Sequence, residues 1–523
     1  MEADRDDRLA CAGPTTEIRQ PRGLSSLALP RHPFVRDLHQ NVNLVLALER
    51  EGTNRVKRIL AGLTAALFLA LGVAAQKIAP PASLPPPASA QSQEFLQAAD
   101  EVLAEMSKLI SLPILSPLKK SLRSREEIKA YLLQKMKEDK DADKRYADQK
   151  TMEKFGLIPK DYPLDQVLVK VLTEQIAGLY DPDSQEFFIA DWTTPADERS
   201  VMSHELTHAL QDQHFHIDKW TDAAKPNDDG ELARDAVIEG SAMAAMLDYE
   251  LGGKGSIRDL GDFDPAMLMG DMDSSPELSK APKVLQDELL FPYLAGIRFT
   301  QQLLKAGNGW PDFYKVFAKP PVSTQQIMHP DLYLQGVVPA KIEMPATKGV
   351  ISAEWKKLDE NNMGEFGVEE ILKQFLTKNR STALADAWAG DRYEIFENPK
   401  NKRTLLMFRV RLASDAAAAR FFGAYSEILE MKYDQRTNLM RRPNFFSFDT
   451  AEDGVFLRCM DSECFVLEGG TRAMFDRLTV EMGWPAGPAV PVNPSDPHVN
   501  QTAFPVYPRL LADAGRPMQP TAQ

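Results

Sequence analysis

The sequence predicts an α+β protein, with a mainly helical domain carrying a small sheet and then a smaller α+β domain built on an antiparallel sheet. Helical spacing of apolar residues marks the first part, as at Leu164, Val167, Leu168, Val171 and Leu172. Short apolar runs bounded by turn residues mark the second, from Tyr393 to Leu467. The length of 523 residues accommodates two such domains plus extensions. Net charge is −14, from 61 basic and 75 acidic side chains, with no basic block. That balance argues against a nucleic-acid partner. Oligomeric state is not legible.

In chain order, residues 1–53 are a polar extension containing Arg and Pro, without clear period. One reading starts the native product near Val56 and leaves this extension out; the other makes it a cytoplasmic tail. Residues 54–75 read as a signal peptide: a basic patch, Asn54 to Arg58, precedes the apolar run Ile59 to Ala75. Small-residue cleavage signatures follow at Val73-Ala74-Ala75 and Ala88-Ser89-Ala90. If residues 59–75 stay uncleaved they form a signal anchor and a membrane tether. Either way an exported protein is expected: periplasmic, extracellular or held on the outer face of the membrane. Residues 76–94 form a Pro-rich, extended linker, 95–345 the first domain, 350–484 the second, and 485–523 a disordered tail.

Within the first domain, Pro163 to Leu179 has helical period, Gly178 to Ser184 is a turn cluster, and Gln185 to Ala190 is a strand. Thr194-Pro195-Ala196-Asp197 reads as a helix start, and residues 229 to 252 as a later helix rich in Ala, Met, Leu and Glu. Residues 281 to 305 look helical with a break or kink at Phe291-Pro292-Tyr293. In the second domain Gly367–Leu376, Ala413–Met431 and Thr471–Met482 read as helices. Tyr393–Phe396, Thr404–Leu412, Phe445–Phe448, Val455–Cys459 and Cys464–Leu467 read as strands. Cys459 and Cys464 then face each other across a hairpin turn, and an exported location favours a disulfide between them.

The chemistry concentrates in His204-Glu205-Leu206-Thr207-His208, an H-E-x-x-H motif. Residues four apart on a helix share a face, so both imidazoles can close on one zinc ion. Glu205 is then placed to take a proton from a metal-bound water whose pKa has fallen to ~7. A catalytic site needs a third protein ligand and one open position. His214 falls at the last His of H-E-x-x-H-x-x-G-x-x-H, but Gln211 stands where that pattern needs the Gly that ends the helix. With the helix continuing, His214 points away from the His204/His208 face.

The run HELTHALQD, His204 to Asp212, together with a downstream helical Glu in an E-G-x-A setting, Glu239 to Ala242, resembles the gluzincins, the thermolysin-like zinc metallopeptidases. The resemblance covers about fifty residues. It implies that Glu239 completes a zinc site with His204 and His208, that Glu205 is the catalytic base, and that the substrate is an extended protein or peptide. The gap before Glu239 is longer than in thermolysin, with a polar insert around Lys219 to Gly230; loop insertions cost little. By the same resemblance Gln185 to Ala190 is the sheet edge on which substrate pairs. Asp212 and Asp235 are candidates to orient the ligands. His329 and Tyr333, with Tyr249, Tyr293 and Arg298, are candidates to stabilise an oxyanion, although packing roles are the better expectation for each. The acidic stretch Arg258 to Leu278 lacks EF-hand spacing and reads as a solvated loop or lid. Two rival readings use the same residues: a non-catalytic envelope protein with structural zinc, closed by His214 or His216, and a zinc amidase acting on a cell-wall amide.

Overall fold

The computed structural model describes residues 90–138, 142–175, 178–192, 194–261, 263–265 and 276–485. The N-terminal extension, the signal segment 54–75, Cys11, most of the acidic loop and the tail from 486 lie outside the described residues. Among the described residues no helix is long and apolar enough to cross a membrane.

The fold is α+β. The helical part runs α1 (Ala90–Leu109), β1 (Lys119–Arg123), α2 (Arg125–Glu138), α3 (Ala142–Phe155), α4 (Leu164–Gln175), β2 (Gly178–Asp181), β3 (Glu186–Ala190), α5 (Pro195–Phe215), α6 (Ile217–Asp222) and α7 (Asp228–Glu250). It continues through α8 (Pro276–Lys280), α9 (Lys283–Ala306) and the short helices α10 (Trp310–Phe313), α11 (Lys315–Ala318), α12 (Thr324–Met328) and α13 (Pro330–Gln335). Helix α1 begins at Ala90, inside the expected linker, because Phe95, Ala98, Ala99, Val102 and Met106 give it a buried face.

The small sheet corrects two expectations. Its order is β1-β3-β2, with β1 parallel and β2 antiparallel to β3. Gly178 to Asp181 is therefore a strand, not part of a turn. The Gln185–Ala190 segment, as β3, is the central strand and no edge. Its buried Phe187, Phe188 and Ile189 fit a strand covered on both sides. The covering strand β1 hides behind charge: in Lys-Lys-Ser-Leu-Arg, Lys120 pairs with Asp100 and Ser121 donates to Glu186. Of the break or kink expected at Pro292, the break is absent: α9 runs through that residue without ending. Proline costs one intrahelical hydrogen bond there, and burial of Phe291, Tyr293 and Ile297 offsets it.

Helices α7 and α9 touch at a pair of glycines. A Cβ on Gly240 would lie 2.0 Å from the Gly296 carbonyl carbon, and one on Gly296 would lie 2.0 Å from the Ala236 oxygen. The backbones meet with no side chain between them, which sets the position of Glu239 next to Gly240.

The second part runs β4 (Lys356–Asn361), α14 (Gly364–Lys373), α15 (Lys378–Ala385), β5 (Trp388–Glu397), β6 (Thr404–Leu412), α16 (Asp415–Lys432), β7 (Thr437–Arg442), β8 (Phe445–Thr450), β9 (Asp453–Met460), β10 (Glu463–Gly470) and α17 (Arg472–Glu481). The strands form one antiparallel sheet in the order β4-β5-β6-β10-β9-β8-β7. Both faces are covered, with a period of two. Leu406, Phe408 and Val410 of β6 pack with Phe421 and Ile428 of α16, while Leu405 and Met407 pack with Phe475 and Leu478 of α17. Cys459 and Cys464 are opposed across the β9–β10 hairpin and are disulfide-bonded.

The two parts share a core: Phe155, Leu157, Leu164, Val284 and Leu285 belong to the same apolar cluster as Leu406 and Phe408. A polar contact joins them as well. The Lys144 ammonium bonds Asp148, lies 2.8 Å from Asp228 and 3.5 Å from Asp359. Lys144→Met leaves three carboxylates facing one another. A stability loss of about 1–3 kcal/mol is expected, read as a lower urea midpoint. An unchanged midpoint would show that solvent alone compensates these acids.

Candidate metal centre

Helix α5 has no polar face over the motif: every residue from Ser200 to Asp212 is buried. A helix buried all round is packed on several sides, and α1, β2 and α7 supply those contacts. Its polar side chains must therefore find partners inside the protein. His204 and His208 project to one side, one turn apart, and α7 brings Glu239 to the same point. His204 Nε2 lies 3.2 Å from Glu239 Oε2, His208 Nε2 lies 3.4 Å from the same oxygen, and the two Nε2 atoms are 3.0 Å apart. None of the three residues is more than 2 % exposed.

These atoms fit a metal better than they fit each other. If both imidazoles direct an N–H at Glu239, their 3.0 Å contact sets donor against donor. Ligands about 2.0 Å from a tetrahedral zinc lie about 3.3 Å apart, close to all three separations. Two imidazoles and a carboxylate are also a zinc-type donor set. Without a metal, burial holds the His204 ring below the usual histidine range. The His208 ring is raised against its burial by Glu239. Glu239 itself is lowered to about 2 by the two histidines, despite burial. Among the described residues, this group offers three ligands.

Glu205 is buried and raised to about 8, burial being the largest cause, with His208 and the Tyr180 amide opposing it. The Tyr180 N–H donates to Glu205 Oε2 at 2.9 Å. Strand β2 thus fixes the carboxylate from the sheet side, and β2 rather than β3 is the edge strand beside the motif. Next to the ligands lies a pocket of ≈ 20 Å³, bounded by His208, Glu239, Asp235, Asp218, Thr221 and Ile217. That is room for about one water.

The remaining candidates separate cleanly. His214 donates to or accepts from nothing at the centre; its Nε2 lies 2.7 Å from the Pro113 carbonyl. Gln211 keeps α5 helical and donates to Ser241 Oγ at 2.8 Å, tying α5 to α7. Asp212 does not orient a histidine: it accepts from the Tyr180 hydroxyl at 2.9 Å and the Ile217 amide at 3.2 Å. Asp235 bonds Thr221 and sits on the pocket wall, held well above the usual carboxylate range by burial and by Glu231 and Glu239. Of the oxyanion candidates only Tyr293 is at the centre. Its ring stacks over His204 at 6.3 Å and its hydroxyl bonds Glu239. His329 bonds Glu365, Tyr333 donates to the Lys319 carbonyl, Tyr249 receives Arg199, and Arg298 is exposed. Tyr180 escaped sequence reasoning because its contribution is a backbone N–H, which carries no residue signal.

A family model described as a domain of unknown function, DUF8575, matches residues 353–479, the region that holds the seven-stranded sheet. No curated protein and no solved structure matches the chain.

Proposed function

We propose that the chain is an exported zinc-dependent endopeptidase of gluzincin type, acting on protein or peptide substrates in extended form. The observation that carries this reading is the buried convergence of His204, His208 and Glu239, with Glu205 beside them on the same helix. His204, His208 and Glu239 hold zinc, which when bound supplies a Lewis acid that acidifies water and polarises a carbonyl. Glu205 takes the proton of the attacking water and returns it to the leaving amine. The Tyr180 amide fixes one oxygen of that carboxylate and leaves the other for the proton. The Tyr293 hydroxyl donates to Glu239 and so steadies the third ligand from α9. Exclusion of bulk water by the surrounding core strengthens both interactions. The exported location rests on residues 54–75, with the Cys459–Cys464 bridge in keeping with it.

A structural zinc would want a fourth protein ligand; His214 is held at Pro113, and His216 is exposed. No observation favours a cell-wall amide over a peptide. The test is casein cleavage by the secreted form starting near Gln91. Cleavage is expected to vanish with a zinc chelator and return with one equivalent of zinc. Zinc-loaded protein that cleaves nothing, or cleavage indifferent to the chelator, overturns the proposal.

A further inference from the structure

A second group of ligand atoms lies away from the motif. His329 caps the junction of α12 and α13, Glu365 is in the first turn of α14, and Asp386 follows the last residue of α15. One donor atom from each lies within 4.8 Å of the others. The plain account is an ion pair, since His329 Nε2 is 2.6 Å from Glu365 Oε1. Two observations go beyond it. Glu365 is 0 % exposed, and its second oxygen, Oε2, is buried with no hydrogen-bond partner. A buried carboxylate oxygen left unpaired is costly. The surroundings are also acidic: Asp386 and Asp331 both act on His329, and Asp229 feels Glu365. Among the described residues none of these acids is paired with a lysine or arginine.

Charge decides between the two accounts. A protonated His329 pairs with Glu365 Oε1, leaves the buried Oε2 without a partner and leaves the exposed Asp386 to solvent. A divalent cation on a neutral His329 compensates both carboxylates and gives Glu365 Oε2 a partner. The contrast with Asp148, Asp228 and Asp359 is instructive, because there the Lys144 ammonium already fills the space between the acids. No such ammonium reaches Glu365.

We propose that His329, Glu365 and Asp386 form a second divalent-cation site, which fastens the α12–α13 junction to the two helices between β4 and β5 of the large sheet. One imidazole and two carboxylates suit a first-row ion such as zinc. Asp386 is exposed and free to close on the ion, whereas Glu365 is preset by burial. The site is independent of the peptidase reading, and its role is structural: it ties His329, outside the matched family region, to Glu365 and Asp386, inside it.

The experiment is zinc binding to the metal-stripped secreted chain by equilibrium dialysis. Two equivalents are expected for wild type, one for Asp386→Asn, one for His208→Ala and none for the double variant. Zinc is also expected to raise the thermal midpoint of His208→Ala and not that of the double variant. His329→Gln serves as the second probe, judged only if its circular dichroism matches wild type. If Asp386→Asn and His329→Gln bind as much zinc as wild type, the second site is refuted, whatever His208→Ala does. If they lose one equivalent while His208→Ala loses none, the second site stands and the ligand set at the motif falls.

Discussion

Glu205→Gln is expected to keep zinc at wild-type stoichiometry and to lose about 10²–10⁴-fold in kcat/KM on a peptide substrate. The two halves of this result have separate causes. Zinc is retained because the three converging donors belong to His204, His208 and Glu239, and Glu205 is not among them. The helix is retained because a glutamine carbonyl still accepts the Tyr180 N–H that now reaches Glu205 Oε2 at 2.9 Å. What disappears is a group able to accept a proton, and an amide cannot replace it. Zinc content and peptide cleavage measured on the same preparation check the prediction. A variant that cleaves at the wild-type rate removes Glu205 from the chemistry. A variant that loses zinc as well makes Glu205 part of the ligand set or of its support.

The pairing of the two histidines was legible from the sequence for a physical reason. Two histidines four apart share a helix face wherever the helix is formed, so His204 and His208 need no tertiary information to be paired. Gln211 also spoke locally: it continues the helix, and His214 ends up against Pro113. Glu239 needed a family resemblance, because contact between α5 and α7 is a matter of packing across an insert. The sheet was misread for the converse reason. Strand β1 is half-buried and mostly charged, and it pairs with the distant β3 in the register Ser121 to Phe188; nothing local announces a parallel pair. Pro292 does not end α9, since burial of its neighbours outweighs one lost hydrogen bond. In the large sheet, β6 was read to the residue, because an apolar run with both faces covered has a strong signal. Strands β4 and β7 are polar sheet edges and gave none. The Gly in E-G-x-A was seen as part of a motif, and its cause is the crossing with α9.

That crossing yields the largest expected effect on stability. Gly240→Ala sets a methyl carbon 2.0 Å from the Gly296 carbonyl carbon, and Gly296→Ala sets one 2.0 Å from the Ala236 oxygen. Both obstacles are backbone, so no rotamer change relieves them and the helices must part. Overpacking of this kind costs about 1–3 kcal/mol and occasionally more; with a backbone obstacle the upper end, about 3 kcal/mol, is expected. Any parting of α7 from α9 also moves Glu239, next to Gly240, relative to Tyr293, which bonds it from α9. Zinc affinity should therefore fall along with stability. Gly423→Ala supplies the contrast, since a Cβ there meets nothing within 4 Å on the exposed side of α16. Replacing that glycine is expected to stabilise by about 0.5–1 kcal/mol, because alanine is the better helix former. Urea midpoints and zinc titrations on the three variants read both effects. If Gly240→Ala unfolds at the wild-type midpoint, the close crossing is not what holds Glu239, and the position of the third ligand needs another cause. If stability falls while zinc affinity holds, the ligands are fixed by α5 and its Gln211–Ser241 tie to α7 rather than by α9.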